Sequence, residues 1–487
     1  MTNVRVSLAY SAAASYVTMA LQLLSTAVLA RLLTPEQIGT FAVAAVFTAL
    51  AGAFRNFGVT EYLIQQRELD TQTIRAALTV NILVSWSLGM LLTIGAQTVA
   101  QFFRTEEVAA VMYVQAASFA IIPFGAITMA YFRRELNLRP ILISTTLANV
   151  ASLVVAVILA WQGFGHMSLA WSGLAGTVAT VAVSLWFRPS TLPFWPGIRG
   201  TREAFRFGRH ASAIYLFEQM GKGAPEMIIG RAAGIAPVAY YSRANGLLEL
   251  FDKLVLNAVW PIVLPIFSKR ERESGGLLAA YLLGTAYLTV VSWPIIFFMG
   301  LMAFPAVRIV YGVQWMESVE LAQILCVAMV LWMPYHLGKE ALIARGQVKE
   351  SSHLQLGIQG LRIIGLLAVV PFGLVGACWG VVFGMAGGAV LSHRRLARSI
   401  SLTTRELAAA VLPSLRIAFL VNLPVALLTW LVPPTEENFA WLGLLGGLFC
   451  AGGWLLAVWQ TRHPIWIECV SVGRAARQRL PVRWQGS

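Results

Sequence analysis

Glu218, Lys222 and Glu226 stand four residues apart in an apolar stretch, a spacing that places all three on one stripe of a helix. Pro225 and the nearby Gly221 and Gly223 loosen the backbone there. Glu249, Asp252 and Lys253 share a face of the next apolar run, with Arg243 nearer its start. Arg55, Lys339, Glu340, Arg362 and Arg416 complete a set of seven bases and five acids embedded in membrane-length apolar sequence. A charge facing lipid at a helix centre costs at least about 2.5–3.5 kcal/mol, so twelve would cost on the order of 30 kcal/mol, above the roughly 5–15 kcal/mol that holds a protein folded. These groups must therefore face one another or a hydrated cavity. Pairing cannot absorb them all, because five acids leave two of seven bases over. Surplus fixed positive charge in a cavity suits an anionic substrate head group. The candidate substrate contacts are Lys222, Arg243, Lys253, Arg362, Arg55 and Lys339, and the candidate cavity carboxylates or ion-pair partners are Glu218, Glu226, Glu249 and Asp252. Glu218–Lys222 and Asp252–Lys253 read equally well as ion pairs within a bundle. Arg55 lies near a helix end and has the reach to snorkel, as is expected of Arg416.

The elements that must position these charges follow from composition. The 487 residues are 58% apolar and only 12% charged, with a mean hydropathy of +0.71. Soluble proteins carry about a quarter charged residues, so a soluble enzyme, a disordered chain and a DNA-binding domain are excluded. Apolar runs fall at about 9–33, 37–57, 75–101, 108–131, 140–162, 166–187, 208–230, 236–266, 277–302, 319–343, 353–371, 374–393, 407–432 and 438–460. Each is long enough to cross a hydrocarbon core of about 30 Å as a helix, which predicts an all-α polytopic membrane protein of about 14 transmembrane helices. With the N-terminus inside, the cytoplasmic segments hold 25 basic residues and the outer loops and helix mouths four, Arg31, Arg104, Arg231 and Arg308. That asymmetry sets the orientation, with both termini cytoplasmic, and explains most of the +14 net charge without nucleic acid. The basic tail is placed to rest on anionic membrane lipid.

The chain also repeats itself. Phe164-Gly165, Trp171 and Gly176 recur as Phe372-Gly373, Trp379 and Gly384 with every gap preserved, and Ala30-Arg31 through Phe41-Ala42 parallels Gly230-Arg231 through Tyr241-Ser242. A six-helix unit is even, so both copies keep one orientation, as in transporters built from two lobes around a central site. The expected domains are a six-helix lobe over 1–200, a second over 201–404, and two extra helices with a basic tail over 405–487. The tryptophans, Trp195, Trp260, Trp315 and Trp484 among them, read as interfacial belt residues near span ends. Gly384-x-x-x-Gly388 and Gly443-x-x-x-Gly447 read as helix-packing sites. Six scattered histidines and four cysteines (Cys326, Cys378, Cys450, Cys469) lack metal-ligand spacing, and no phosphate-binding loop or hydrolase motif is present, so no cofactor, metal or enzymatic activity is expected.

Several stretches resemble a known family. Ala30-Arg31-Leu32-Leu33-Thr34-Pro35-Glu36-Gln37-Ile38-Gly39 resembles the "R-L-L-[ST]-P-x-[DE]-[FY]-G" opening of Wzx-type oligosaccharide flippases, the polysaccharide transporter branch of the multidrug/oligosaccharidyl-lipid/polysaccharide exporter superfamily. Phe57-Gly58-Val59 with Leu63-Ile64-Gln65-Gln66-Arg67-Glu68, then Tyr131-Phe132-Arg133-Arg134-Glu135-Leu136, and finally Gly230-Arg231 through Ala239-Tyr240-Tyr241-Ser242-Arg243-Ala244 are similar to further segments of that family. Ile38 stands where an aromatic residue is usual and Ala239 where glycine is usual. The resemblance implies a carrier in the bacterial inner membrane that moves an undecaprenyl-pyrophosphate-linked oligosaccharide to the outer leaflet by alternating access, for O-antigen, capsule or exopolysaccharide synthesis. It also implies a polysaccharide polymerase and a chain-length regulator as partners. The competing readings are a multidrug exporter of the same superfamily, disfavoured by the lack of a buried first-lobe carboxylate, and a membrane polymerase or ligase, disfavoured by the short outer loops.

Overall fold

The computed structural model describes residues 2–55, 63, 70–274, 276–461 and 465–466, and every regular element among them is helical. The chain runs through α1 (Thr2–Leu32), α2 (Pro35–Arg55), α3 (Thr71–Phe103), α4 (Glu107–Ile121), α5 (Pro123–Arg134), α6 (Arg139–Trp161), α7 (His166–Trp186) and α8 (Thr201–Ala232). It continues with α9 (Ile235–Phe251), a π-helical turn (Asp252–Leu256), α10 (Asn257–Ser274), α11 (Leu277–Leu301), α12 (Ala303–Val310), α13 (Glu317–Trp332) and α14 (Gly338–Ala344). The last elements are α15 (Val348–Val369), α16 (Gly373–Ile400), α17 (Thr404–Leu431) and α18 (Phe439–Gln460).

Among the described residues, ten helical stretches are long and apolar enough to cross a membrane, or eleven if α4 and α5 count as one bent span. This is a multi-pass membrane protein. The figure of fourteen is not reached on that measure, for identifiable reasons. Charges run along α8, α9 is only 17 residues long, and α15 with α16 forms a single apolar stretch of 53 residues broken by a 3-10 turn at Val370–Phe372. The run expected as one helix over 108–131 is two helices bent by 56°, because Pro123 lacks the N–H that would continue the ladder.

The chain divides into two compact units. The first comprises Met1–Arg243, Val310–Trp315 and Leu366–Ala377. Within it α1 packs on α6, α3 on α4, α7 on α4 through α6, and α8 on α2 and α3. Thr34-Pro35-Glu36-Gln37 is a capping box: the Gln37 amide donates to the Thr34 hydroxyl at 3.3 Å, and the Thr34 amide to Gln37 Oε1 at 3.0 Å. Pro35 then sits where its missing N–H costs nothing. Gly39 completes the motif, since a Cβ there would lie 2.1 Å from the carbonyl oxygen of Ile235, the first residue of α9. Arg134 secures the other end of the unit by donating to the Leu63 carbonyl at 2.7 Å, over a core of Leu63, Ile74, Leu78, Ile127 and Leu192. The rest of the Phe57–Glu68 segment lies outside the described residues.

The second unit comprises Ala244–Ile309, Met316–Gly365 and Cys378–Ser487. Pro294 inside α11 frees the carbonyl of Val290, and Trp454 of α18 donates to it at 2.9 Å. Asn422 of α17 donates to the Pro294 carbonyl at 3.0 Å, and Ser414 of α17 to the Ala286 carbonyl at 3.2 Å. These bonds tie the two C-terminal helices into the unit. Gly384 and Gly388 do pack closely: a Cβ on Gly384 would meet the Arg362 Cα at 2.4 Å, and one on Gly388 the Ile358 side chain at 3.2 Å. In the other glycine pair a Cβ on Gly443 would meet Ile309 at 3.3 Å, but one on Gly447 would meet nothing within 4 Å, and the close approach falls at Gly446, against Met302.

The repeated residues occupy equivalent local positions. Gly165 and Gly373 both take positive φ, +54° and +86°, at the turn before a long helix. Eleven residues on, Gly176 and Gly384 each mark the contact with the preceding helix, at Ser152 and Arg362 respectively. Trp171 and Trp379 are 42% and 41% exposed. At the other repeated site, α1 and α8 end at Leu32 and Ala232, and α2 and α9 begin at Pro35 and Ile235.

Candidate functional site

The candidate charges divide between the two units. Arg55, Lys222 and Arg243 belong to the first, and Lys253, Lys339 and Arg362 to the second. Lys222 is exposed on α8 beside Gly223, whose missing Cβ makes room for Val46 of α2. Glu226, one turn on, is half-buried with Oε2 out of solvent contact. The side chains of Glu218 and Asp252 lie outside the described residues. Arg55 ends α2, nine residues past Val46, or about 13 Å along the axis, so it does not share a level with Lys222. Its guanidinium lies over the Phe119 ring at 5.8 Å. Two turns earlier on α2, Thr48 donates to Gln115 Oε1 of α4 at 2.5 Å.

In the second unit Glu249 is exposed and accepts from Asn245 at 2.9 Å, and Lys253 is exposed in the π-helical turn. Such turns change the face a helix presents and concentrate at functional positions. Lys339 and Glu340 open α14 just after a 3-10 turn, half-buried. Beside that turn His336 lies between Trp260 at 5.2 Å and Trp332 at 6.3 Å. Arg362 is half-buried on α15 at its contact with Gly384. Arg416 is exposed on α17.

Arg243 has the most fully built surroundings. Its guanidinium lies 5.4 Å from the Tyr311 ring and 5.2 Å from the Trp315 ring, and Tyr240, one turn earlier on α9, meets Trp315 edge-on at 5.9 Å. Trp315 is fully buried and donates to the Ala30 carbonyl at 2.8 Å. Gln314 donates to the Leu33 carbonyl at 3.0 Å and also to that of Ala30. This corrects the reading of Trp315 as a belt residue: its indole fills the first unit's core. Trp195 is 72% exposed, and Trp484 lies outside the described residues. The sequence pattern also did not single out Tyr311 and Gln314, which sit in a loop between apolar runs. The one available signal was the i, i+3 spacing of Tyr240 and Arg243 in the motif opening α9.

A family model described as polysaccharide biosynthesis protein matches residues 28–320, more than half of the chain. The chain belongs to that polysaccharide biosynthesis family. Its motifs therefore carry architecture as well as kinship: Thr34, Gln37 and Gly39 shape the α1–α2 corner, and Tyr240 and Arg243 hold the loop at Trp315. Among individual relatives, the succinoglycan biosynthesis transport protein ExoT of Rhizobium meliloti (strain 1021) is 26% identical over 308 residues, 61% of this chain and 60% of that protein. The teichuronic acid biosynthesis protein TuaB of Bacillus subtilis (strain 168) is 20% identical over 434 residues, 86% of this chain and 87% of its own length. The lipopolysaccharide biosynthesis protein WzxC of Escherichia coli (strain K12) is 20% identical over 330 residues, 66% of each chain. The fold is that of the lipid II flippase MurJ in an inward closed conformation, with a TM-score of 0.76 at 14% identity over 94% of this chain and 100% of that one. An inward-facing multidrug resistance MATE family transporter of the MOP superfamily follows, at a TM-score of 0.67 and 18% identity over 79% of this chain and 94% of that one.

Proposed function

We propose that the protein carries an undecaprenyl-pyrophosphate-linked oligosaccharide from the inner to the outer leaflet of the bacterial cytoplasmic membrane by alternating access, in the synthesis of a surface polysaccharide. One coincidence carries this reading: a chain of the polysaccharide biosynthesis family has a lipid flippase fold over 94% of its length. The names of the relatives, a succinoglycan transport protein among them, support it. The MATE likeness supports the shared fold and not drug export, since the sequence relatives named here belong to polysaccharide synthesis. In this reading the protein catalyses no covalent step, its termini are cytoplasmic, and its product passes to a polysaccharide polymerase and chain-length regulator. The duplicated lobes, 1–200 and 201–404, would exchange access, with the helices after 405 outside that duplication.

A pyrophosphate carries two to three negative charges, and desolvating it calls for several cationic donors together. Lys222, Arg243, Lys253, Arg362, Arg55 and Lys339 are the candidates, with Glu218, Glu226, Glu249 and Asp252 balancing them. Lys222 gives the sharpest test. In a strain lacking its own flippase, Lys222→Ala should leave lipid-linked oligosaccharide inside the cell while the protein still accumulates in the membrane. Adding Glu218→Ala should restore export if Lys222 only neutralises that carboxylate, and should not if Lys222 meets pyrophosphate. Full export by the single variant removes Lys222 from the mechanism.

A further inference from the structure

We propose that Val310–Trp315 is a latch that leaves the end of α1 once in each transport cycle, and that Arg243 is its positioning residue. The proposal rests on the carrier reading above. The segment is six residues long and belongs to the first unit, yet the chain on both sides of it, to Ile309 and from Met316, belongs to the second. Any movement of that flanking chain therefore pulls directly on the strap.

The contacts holding the strap are many, individually modest and reversible. Gln314 and Trp315 donate to the carbonyls of Ala30 and Leu33. Ala30 lies in the last turn of α1, where helix carbonyls have no partner within the helix and are otherwise satisfied by water, and Leu33 follows the helix directly. Gly312, at φ +103°, turns the strap so that Tyr311 and Trp315, packed edge-on at 6.4 Å, both lie beside the same guanidinium. Arg243 Nε is buried and makes no hydrogen bond. A permanent anchor gains nothing from that: an apolar side chain of similar volume would pack beside the two rings without stranding a donor. An arginine held only by ring faces suits a joint that opens, because on release the guanidinium, the amide of Gln314 and the α1 carbonyls are all hydrated at once.

The test locks the strap. In a protein with Cys326, Cys378, Cys450 and Cys469 replaced, Leu33→Cys and Gln314→Cys are introduced together and bridged in the membrane with a reducible bifunctional thiol reagent. Bridging is expected to stop transport of lipid-linked oligosaccharide into the outer leaflet, and reduction to restore it in the same sample. Undiminished transport by the bridged protein, or a pair that cannot be bridged, overturns the latch. Absence of transport in the unbridged cysteine-free parent counts against the carrier reading alone, and a second measurement then decides the latch. Gln314→Cys by itself should react with a membrane-impermeant maleimide faster in cells that make lipid-linked oligosaccharide than in cells that do not. Adding Arg243→Leu should make that labelling fast in both, while Arg243→Lys, which keeps a cation beside the rings, should leave it near the parent rate. Labelling that responds to neither substrate nor Arg243→Leu contradicts the proposal.

Discussion

Gly39→Ala and Gly52→Ala make the same change on the same helix, and the structure assigns them opposite signs. A Cβ on Gly39 would lie 2.1 Å from the carbonyl oxygen of Ile235, where ordinary contact begins near 3.4 Å, so α2 and α9 must separate by about 1.3 Å. The obstacle is backbone at the first residue of α9 and cannot rotate aside. Overpacking of this kind costs about 1–3 kcal/mol, and a unit of some 150–250 residues loses about 2–4 °C per kcal/mol, so Gly39→Ala should melt roughly 2–12 °C lower. Nothing lies within 4 Å of a Cβ on Gly52. Alanine there restricts the unfolded chain and should gain about 0.4–1 kcal/mol, a rise of roughly 1–4 °C. The assay is the fraction of detergent-purified protein that stays monodisperse by size exclusion after heating. Equal shifts for the two variants would refute the assignment of Gly39 to a backbone contact.

Trp454→Phe strands the Val290 carbonyl that Pro294 already leaves without a helical donor, and should cost about 1–3 kcal/mol in the same heating assay, whereas no loss would show that this carbonyl is otherwise satisfied. A cysteine at Arg405 should resist a membrane-impermeant thiol reagent in intact cells while one at Glu437 reacts, and the reverse pattern would invert the orientation argued from the charge bias. Asp70 caps α3, and hydrogen bonds from the Thr73 hydroxyl and amide hold its carboxyl below the usual carboxylate range. Its contribution is present in full at neutral pH and is lost as pH falls through that lowered value. Asp70→Asn, itself a good cap, should therefore leave neutral stability nearly unchanged and flatten the acid limb of stability against pH below about 4, and an unchanged acid limb would contradict the assignment.

The positions of the helices were largely legible in the sequence, because apolar run length and end signals are local. Thr34-Pro35 starts α2, and the same register 200 residues on starts α9 at Ile235. The bend at Pro123 was hidden because run length averages over one proline. The π-helical turn at Asp252–Leu256 was hidden because it interrupts the 3.6-residue period on which a shared face for Glu249, Asp252 and Lys253 was read. The unusual composition of the charged positions was visible from their cost in lipid, but their surroundings were not. Arg243 meets Tyr311 and Trp315 some seventy residues away, a pairing that no local period encodes. A tryptophan at a span end also looks the same in sequence whether its indole faces the membrane interface, as an exposed Trp195 can, or fills a core, as Trp315 does.

Reconstitution of the purified protein in liposomes carrying a fluorescent undecaprenyl-pyrophosphate oligosaccharide tests the carrier reading most directly. Sugar in the outer leaflet is destroyed by a membrane-impermeant reagent, and sugar in the inner leaflet is protected. Vesicles containing the protein should lose protection with time, vesicles without it should keep protection, and Lys222→Ala should fall between them or match the empty vesicles. Protection that persists equally with and without folded protein would contradict transport of this substrate.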